Sequence, residues 1–107
     1  MVLKNKFYDP IGVVKEFAQE RVRLFSMWSV VYPATLVASG AMVAEISKGR
    51  PWDLAAVKVI VEEAGGKVTD LLGNEQRYDE ETQGAIISNG LVHDKLLKII
   101  KTNWIDQ

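Results

Sequence analysis

The stretch from Pro51 to Gly66 constrains the fold of this 107-residue chain more than any other. Proline lacks an N–H and its ring blocks the preceding turn, so a helix has to begin near Pro51 and cannot run through it. Asp53 is the predicted N-cap, because its carboxylate can accept from the free N–H groups of the first turn. Gly65 and Gly66 predict the end of the helix, since glycine adopts the left-handed conformation that helix ends often need.

The helix predicted between these ends is apolar on nearly every side. Its apolar residues are Leu54, Ala55, Ala56, Val57, Val59, Ile60 and Val61. A surface helix normally carries an apolar stripe opposite a polar face, whereas a helix that is apolar all round is buried. The sequence therefore predicts that this helix is covered on more than one face.

The rest of the chain predicts alternating helices and strands. The other helices are predicted at residues 11–23, 29–38 and 91–103, and the strands at 22–27, 41–46, 67–71 and 85–88. The strands at 41–46 and 85–88 are predicted to be buried, the second of them at the centre of the sheet. Residues 75–82 are polar and acidic and predict a surface loop. Alternation of this kind indicates an α/β fold, with helices layered on a sheet.

Several helix ends can be predicted from single residues. Asp9 is the predicted N-cap of the first helix, with Pro10 at its first position. The second helix begins either at Ser29 or at Pro33, because a proline pushes its preceding residue away from helical geometry. Asn89 is the predicted cap of the last helix. His93, the only histidine of the chain, is predicted on a solvated helix face.

Composition excludes several classes of function. The chain has 13 basic and 14 acidic residues, a net charge of −1, which argues against a nucleic-acid-binding protein. No apolar run reaches the length of a membrane span. The absence of cysteine excludes disulfides and thiolate chemistry and fits a reducing compartment. With no visible signal peptide, we expect a cytoplasmic protein without nucleic-acid or membrane partners.

Three short motifs in order resemble the C-terminal signature of the inositol monophosphatase family. They are Trp52-Asp53-Leu54-Ala55-Ala56, Glu63-Ala64-Gly65-Gly66 and Val68-Thr69-Asp70. The resemblance extends from about Val22 to about Ile100, and its ordered, closely spaced residues make it more specific than a lone glycine motif. It implies a mixed β-sheet with packed helices, like the C-terminal half of that fold. We expect a single domain over 1–107, with 1–20 as a lead-in and helix and 21–107 as the family-like part.

The resemblance also implies a site. Family members are phosphomonoesterases that use two or three Mg²⁺ ions, and Asp53 matches a metal ligand. Ser29 and Glu45 match substrate-binding positions. Two departures weaken the match, because Trp28 replaces a family glycine and Val43 replaces a family aspartate. Asp9-Pro10-Ile11-Gly12 lacks the second aspartate of the family's metal-binding loop, so the helix-capping interpretation of Asp9 stands.

Two functions are compatible with these residues. The first is the C-terminal portion of a Mg²⁺-dependent phosphatase that hydrolyses inositol or sugar phosphate monoesters through a metal-activated water. The chain alone would then be inactive, because the remaining metal ligands of the family lie in the N-terminal half. The second is a non-catalytic domain, truncated or used in assembly, that retains the fold. The expected partners are a small phosphate monoester and either a second copy of the chain or the missing N-terminal half.

Overall fold

Three short strands lie between two layers of helices in the computed structural model, which describes residues 8–20, 22–24, 29–80, 82 and 84–105. The elements are α1 (Pro10–Gln19), α2 (Val31–Ala38), β1 (Ala44–Ser47), α3 (Pro51–Glu63), β2 (Lys67–Thr69), β3 (Ala85–Ser88) and α4 (His93–Thr102). The strand order is β1-β3-β2, and both neighbours pair with β3 in antiparallel fashion. The layered α/β arrangement predicted from the sequence is confirmed.

The register of the sheet divides the core into two halves. Ile87 is opposite Glu45 and Val68, and these positions face α2 and α3. Ile86 is opposite Ile46 and faces α1 and α4. Because neighbouring side chains of a strand point to opposite faces, β3 is buried on both sides, as the prediction of a central strand requires. No helix in the described part of the chain is both long and apolar enough to cross a membrane.

The predicted strands near either end of this sheet need correction. Residues 22–24 form no strand, and residues 25–27 of that predicted strand lie outside the described residues. Strand β1 begins at Ala44, not at Ala41, and all four of its residues are half-buried because it lies at the edge of the sheet. The predicted surface loop at 75–82 is also partly wrong, since Tyr78 packs against the core and Thr82 is buried.

Of the two N-caps predicted beside a proline, the structure confirms Asp9 and contradicts Asp53. Asp9 does cap α1, with its Oδ1 accepting from the Ile11 N–H at 3.1 Å. In α3, however, Pro51 is itself the first helical residue, so Arg50 is the N-cap and Asp53 is the third residue of the helix. The prediction that Asp53 is the N-cap was wrong, because the missing N–H of proline costs nothing in the first turn.

The other two helix starts also differ from prediction. Helix α2 begins at Val31, two residues before Pro33, whose missing N–H is again tolerated in the first turn. Helix α4 begins at His93 and not at Leu91, so Asn89 does not cap it. The Asn89 side chain accepts from the Leu91 N–H at 2.9 Å, which closes the turn between β3 and α4.

The double glycine after α3 serves two separate purposes. Gly65 has a φ of +90°, in the left-handed region that favours glycine. Gly66 has no such requirement, but a Cβ there would collide with the carbonyl oxygen of Ser88 and with the side chain of Val61. The chain can pass this closely between α3 and β3 only because the second residue has no side chain.

His93 is buried, with 1% of its surface exposed, so the prediction of a solvated position was wrong. Its Nε2 lies 2.8 Å from the Thr69 Oγ1, and its Nδ1 lies 2.7 Å from the Ser88 Oγ. The Thr69 hydroxyl donates to the Asp70 carbonyl at 2.9 Å, so it accepts from Nε2–H. The Ser88 hydroxyl then donates to Nδ1 and accepts from the Gly90 N–H at 3.0 Å. A neutral imidazole thus joins β2, β3 and the start of α4.

Protonation of this ring opposes folding. Burial lowers the pKa of His93 below its usual 6.5, and the positive charge of Lys67 lowers it further, while Asp94 partly opposes both. The unfolded chain therefore takes up a proton near pH 6.5 that the folded chain resists. The stability contributed by the neutral ring is complete above pH 6.5 and is lost as the pH falls through 6.5 towards the lower folded-state pKa.

We expect a Ser88→Ala variant to lose roughly 1–3 kcal/mol of unfolding free energy at pH 8, because Nδ1 of His93 would be left buried without a donor. Urea denaturation at pH 8 and at pH 5.5 measures this. The matched control is Ser39→Ala, which removes an exposed hydroxyl bonded to the Leu36 carbonyl.

A His93→Gln variant should show a smaller loss of stability between pH 7 and pH 5.5 than the unmodified chain. Equal losses in the two chains would contradict the role given to the ring.

Candidate functional site

Asp53 lies in the first turn of α3, where it is half-buried. Pro51 fixes the start of the helix two residues earlier, so the carboxylate is placed by the backbone and not by a long flexible loop. The free N–H groups and the dipole of a helix N-terminus favour a negative charge. A carboxylate oxygen is also the kind of ligand that a hard divalent cation such as Mg²⁺ prefers.

The starts of α2 and α3 meet at the segment between β1 and α3. A Cβ at Gly49 would lie 3.2 Å from Val30, just before α2, and 3.2 Å from Leu54 in α3. Ser29 and Asp53 are the immediate chain neighbours of these two contact residues. The structure therefore brings Ser29 and Asp53 to the same end of the helical layer, although 23 positions between them separate the two in sequence.

Ser29 is exposed and has a structural contact of its own. Its Oγ accepts from the Tyr32 N–H at 3.2 Å, which supports the start of α2. A hydroxyl that accepts one bond still has its own proton to donate. Trp28 lies outside the described residues.

Glu45 occupies the sheet face that α2 covers. It lies on β1 opposite Ile87, and its Oε2 is buried without a hydrogen-bond partner among the described residues. Burial raises the pKa of Glu45 to about 7, and a hydrogen bond with the Ser47 side chain only partly offsets this. Near neutral pH this carboxyl is therefore partly protonated. Val43 is 55% exposed and offers no charge.

These residues do not complete a metal site on their own. Within residues 8–20, 22–24, 29–80, 82 and 84–105, no three or more histidine, cysteine, aspartate or glutamate side chains are grouped so that they could hold an ion. Asp53 fits the role of one oxygen ligand, but the set around it is incomplete. An open cleft of about 200 Å³ lies at the other ends of α2 and α3, lined by Ser39, Ala64 and Asn89 among others, and is remote from Asp53.

Two contacts that the sequence did not reveal fix the loop between β2 and β3. The Thr82 hydroxyl donates to the Gly49 carbonyl at 2.9 Å, which holds the segment before α3. The second contact is an ion pair between Lys58 of α3 and Glu75 of the loop at 2.6 Å. Lys58 also pairs with Glu62 of its own helix at 2.9 Å. The loop is therefore attached to α3 near its start and again near its middle. Only the ion pair within the helix, at a spacing of four residues, has a signal in the sequence.

The chain has clear relatives among known proteins. It is 48% identical over 50 residues, 47% of its own length, to a fructose-1,6-bisphosphatase/inositol-1-monophosphatase of Thermotoga maritima, and the match spans 19% of that protein. A solved inositol monophosphatase from Thermotoga maritima is 31% identical and superposes with a TM-score of 0.71 over 88% of this chain and 38% of that one. The chain thus spans well under half the length of these relatives.

A second solved structure that is similar to this chain contains a bound metal ion. It is a Ca-bound inositol monophosphatase family protein from Staphylococcus aureus, 29% identical, with a TM-score of 0.62 over 71% of this chain and 31% of that one. The sequence model of the inositol monophosphatase family matches residues 8–104, which include every described helix and strand. The order of elements, the Trp52–Gly66 stretch and this match agree, and the chain belongs to the inositol monophosphatase family.

Proposed function

We propose that this chain is the C-terminal portion of a Mg²⁺-dependent phosphatase that hydrolyses inositol or sugar phosphate monoesters. The observation that carries the proposal is the family match over residues 8–104, which contains Asp53 in the first turn of α3. The relatives with this fold include phosphatases of sugar and inositol phosphates. The family supports the reaction class, hydrolysis of a phosphate monoester, and the names of these relatives support a sugar or inositol phosphate as the substrate.

Asp53 supplies one ligand of the metal site in this proposal. The other ligands come from polypeptide outside the described residues, because the acidic side chains described here form no suitable cluster. Mg²⁺ releases its waters reluctantly and is held by several carboxylate or phosphate oxygens. A single carboxylate therefore binds it weakly, and the 107-residue chain by itself is inactive in this proposal.

Ser29 and Glu45 contribute to the substrate wall in the same proposal. Ser29 lies at the end of the layer that carries Asp53, and its hydroxyl proton can be donated to a sugar or phosphate oxygen. Glu45 has a pKa of about 7, so near neutrality a protonated fraction can donate where an ionised carboxylate would repel phosphate. These assignments rest on the family positions and on the environment of each side chain.

A second function is favoured by one specific observation. The incomplete acidic set around Asp53 also fits a non-catalytic domain that retains the fold for assembly. The two proposals differ in whether Asp53 binds a divalent ion at all. In the non-catalytic domain, its carboxylate would serve only the first turn of α3.

We expect Asp53→Asn to weaken Mn²⁺ binding, used here as a probe for the Mg²⁺ site, by about tenfold or more, since losing even an indirect contact to a metal ligand commonly costs that much. Asp94→Asn is the matched control, because Asp94 is an exposed acid in the first turn of α4. Isothermal titration or the electron paramagnetic resonance of free Mn²⁺ measures the affinity. Unchanged binding in the Asp53→Asn chain would favour the non-catalytic domain.

Phosphate release from a panel of inositol and sugar phosphates with Mg²⁺ tests the other half of the proposal. We expect none from the unmodified 107-residue chain. Release that is lost in the Asp53→Asn chain and kept in the Asp94→Asn chain would show a complete site. The statement that the chain alone is inactive would then be wrong, while the role of Asp53 would stand.

Glu45→Gln tests the environment of the buried carboxyl. The folded chain holds this proton up to about pH 7, whereas the unfolded chain releases it near pH 4.5. The stability due to the protonated form is therefore complete below pH 4.5 and is lost as the pH rises through 7. We expect the glutamine variant to gain stability relative to the unmodified chain between pH 5 and pH 8, as measured by urea denaturation. A constant difference between the two chains would contradict the raised pKa.

A further inference from the structure

Gly49 lies in the short connection between β1 and α3, and the starts of two helices pack against it. A Cβ at this position would lie 3.2 Å from the Val30 side chain, just before α2, and 3.2 Å from the Leu54 side chain in α3. Leu54 is completely buried, and its N–H donates to the Arg50 carbonyl at 3.0 Å, a bond of the first turn of α3. The place of the Gly49 peptide therefore affects both helix starts at once.

The side chain of Thr82 holds this peptide. Its hydroxyl donates to the Gly49 carbonyl at 2.9 Å, and the residue is buried, with 7% of its surface exposed. In the described part of the chain, no backbone N–H bonds to that carbonyl. Pro51, two positions after Gly49, has no N–H with which to anchor the connection. The Thr82 hydroxyl therefore supplies a hydrogen bond that the backbone of this connection does not.

The contact between Thr82 and Gly49 lies just beyond the pairing of β1 with the central strand. The last pair of that ladder joins Ser47 to Ala85. Gly49 lies two positions after Ser47, and Thr82 lies three positions before Ala85. Ala85 is completely buried, so packing in the core holds this end of β3. Thr82 thus links the connection before α3 to a strand that is buried on both faces.

We propose that Thr82 is a positioning residue for the candidate metal site. Thr82 holds the Gly49 peptide, and that peptide sets how the helix starts beside Ser29 and Asp53 lie relative to each other. The inference rests on the proposed function, because it assigns Thr82 to the same site. The hydroxyl is the group that matters, so serine can replace Thr82, whereas valine leaves the Gly49 carbonyl without this donor.

Hydrogen exchange tests the hold on α3 without any metal. We expect Thr82→Val to speed exchange of the Leu54 amide roughly two- to tenfold, the factor equivalent to one hydrogen bond of ordinary net strength. The Leu96 amide is the internal reference, since it makes the matching bond in the first turn of α4, to the Val92 carbonyl at 3.0 Å. Thr82→Ser should leave both exchange rates unchanged, because its hydroxyl can still donate.

The matched control for this experiment is Thr102→Val. It removes a hydroxyl that donates to the Lys98 carbonyl at 2.8 Å within α4, and it should leave the Leu54 exchange rate unchanged. Equal acceleration of the Leu54 and Leu96 amides in Thr82→Val would show that Thr82 supports only the fold as a whole. That result would overturn the proposal, as would a serine chain that exchanges as fast as the valine chain.

Bound Mn²⁺ tests the geometry of the two helix starts. The ion broadens the NMR signals of nearby amides, and the broadening falls steeply with distance. We expect broadening of the Ser29 amide, divided by that of the Leu54 amide, to fall in Thr82→Val and to be restored in Thr82→Ser. The ratio does not depend on the fraction of chains that have bound the ion, so a loss of affinity or stability alone leaves it unchanged. An unchanged ratio in the valine chain would overturn the positioning role.

Gly49→Ala changes the same geometry while leaving Thr82 in the chain. Its methyl group would lie 3.2 Å from both Val30 and Leu54, a distance at which a neighbour has to shift. The ratio should fall here too, so the test remains decisive if the valine chain does not fold, and a ratio equal to that of the unmodified chain would overturn the proposal.

Asp53→Asn separates this inference from the proposed function. Mn²⁺ broadening of the Leu54 amide that persists in the Asp53→Asn chain would place the ion elsewhere and contradict the proposed function. The exchange rate of the Leu54 amide would still decide whether Thr82 holds the start of α3.

Discussion

The burial of strand β3 on both faces is the constraint on which the rest of the fold depends. Ala85–Ser88 pairs with β1 on one side and with β2 on the other, and no residue of the strand reaches the solvent. A strand of this kind needs a helical layer above and another below. The α2 and α3 layer satisfies one face and the α1 and α4 layer the other. Asp53 owes its place to that requirement, because packing of Leu54 and Val57 against the sheet fixes the start of α3.

Elements governed by local chemistry could be predicted from the sequence, and elements governed by distant partners could not. Asp9 with Pro10 predicted the start of α1, and the apolar run at Ala85 predicted the central strand, since neighbours in the chain decide both. His93 was placed wrongly because its partner Thr69 lies 24 residues away, so nothing beside it signals burial. The error over Asp53 was of another kind, in which two local rules competed and proline at the first position prevailed over an acidic cap.

The candidate site also combines features that the sequence predicts with features that only the tertiary structure shows. The motif around Asp53 is continuous in sequence, so its family position could be recognised without a structure. The approach of Ser29 to the same end of the layer depends on contacts at Gly49, which are tertiary. The raised pKa of Glu45 depends on burial beneath the helix that covers β1. The apolar residues around Glu45 in the sequence did not indicate this burial of the carboxyl. A sequence can therefore identify a metal-ligand candidate while leaving its electrostatic surroundings undetermined.

The hydrogen bond from Thr82 to the Gly49 carbonyl links the connection between β2 and β3 to the segment before α3. The connection between β2 and β3 also contacts the middle of α3, because Lys58 pairs with Glu75 near the beginning of that connection. Gly49 lies two positions before Pro51, so this connection reaches the start of α3 without a contact at the Asp53 carboxylate. Substitution of Thr82 would therefore remove a contact at the start of α3 while leaving every residue of the candidate site unchanged in sequence.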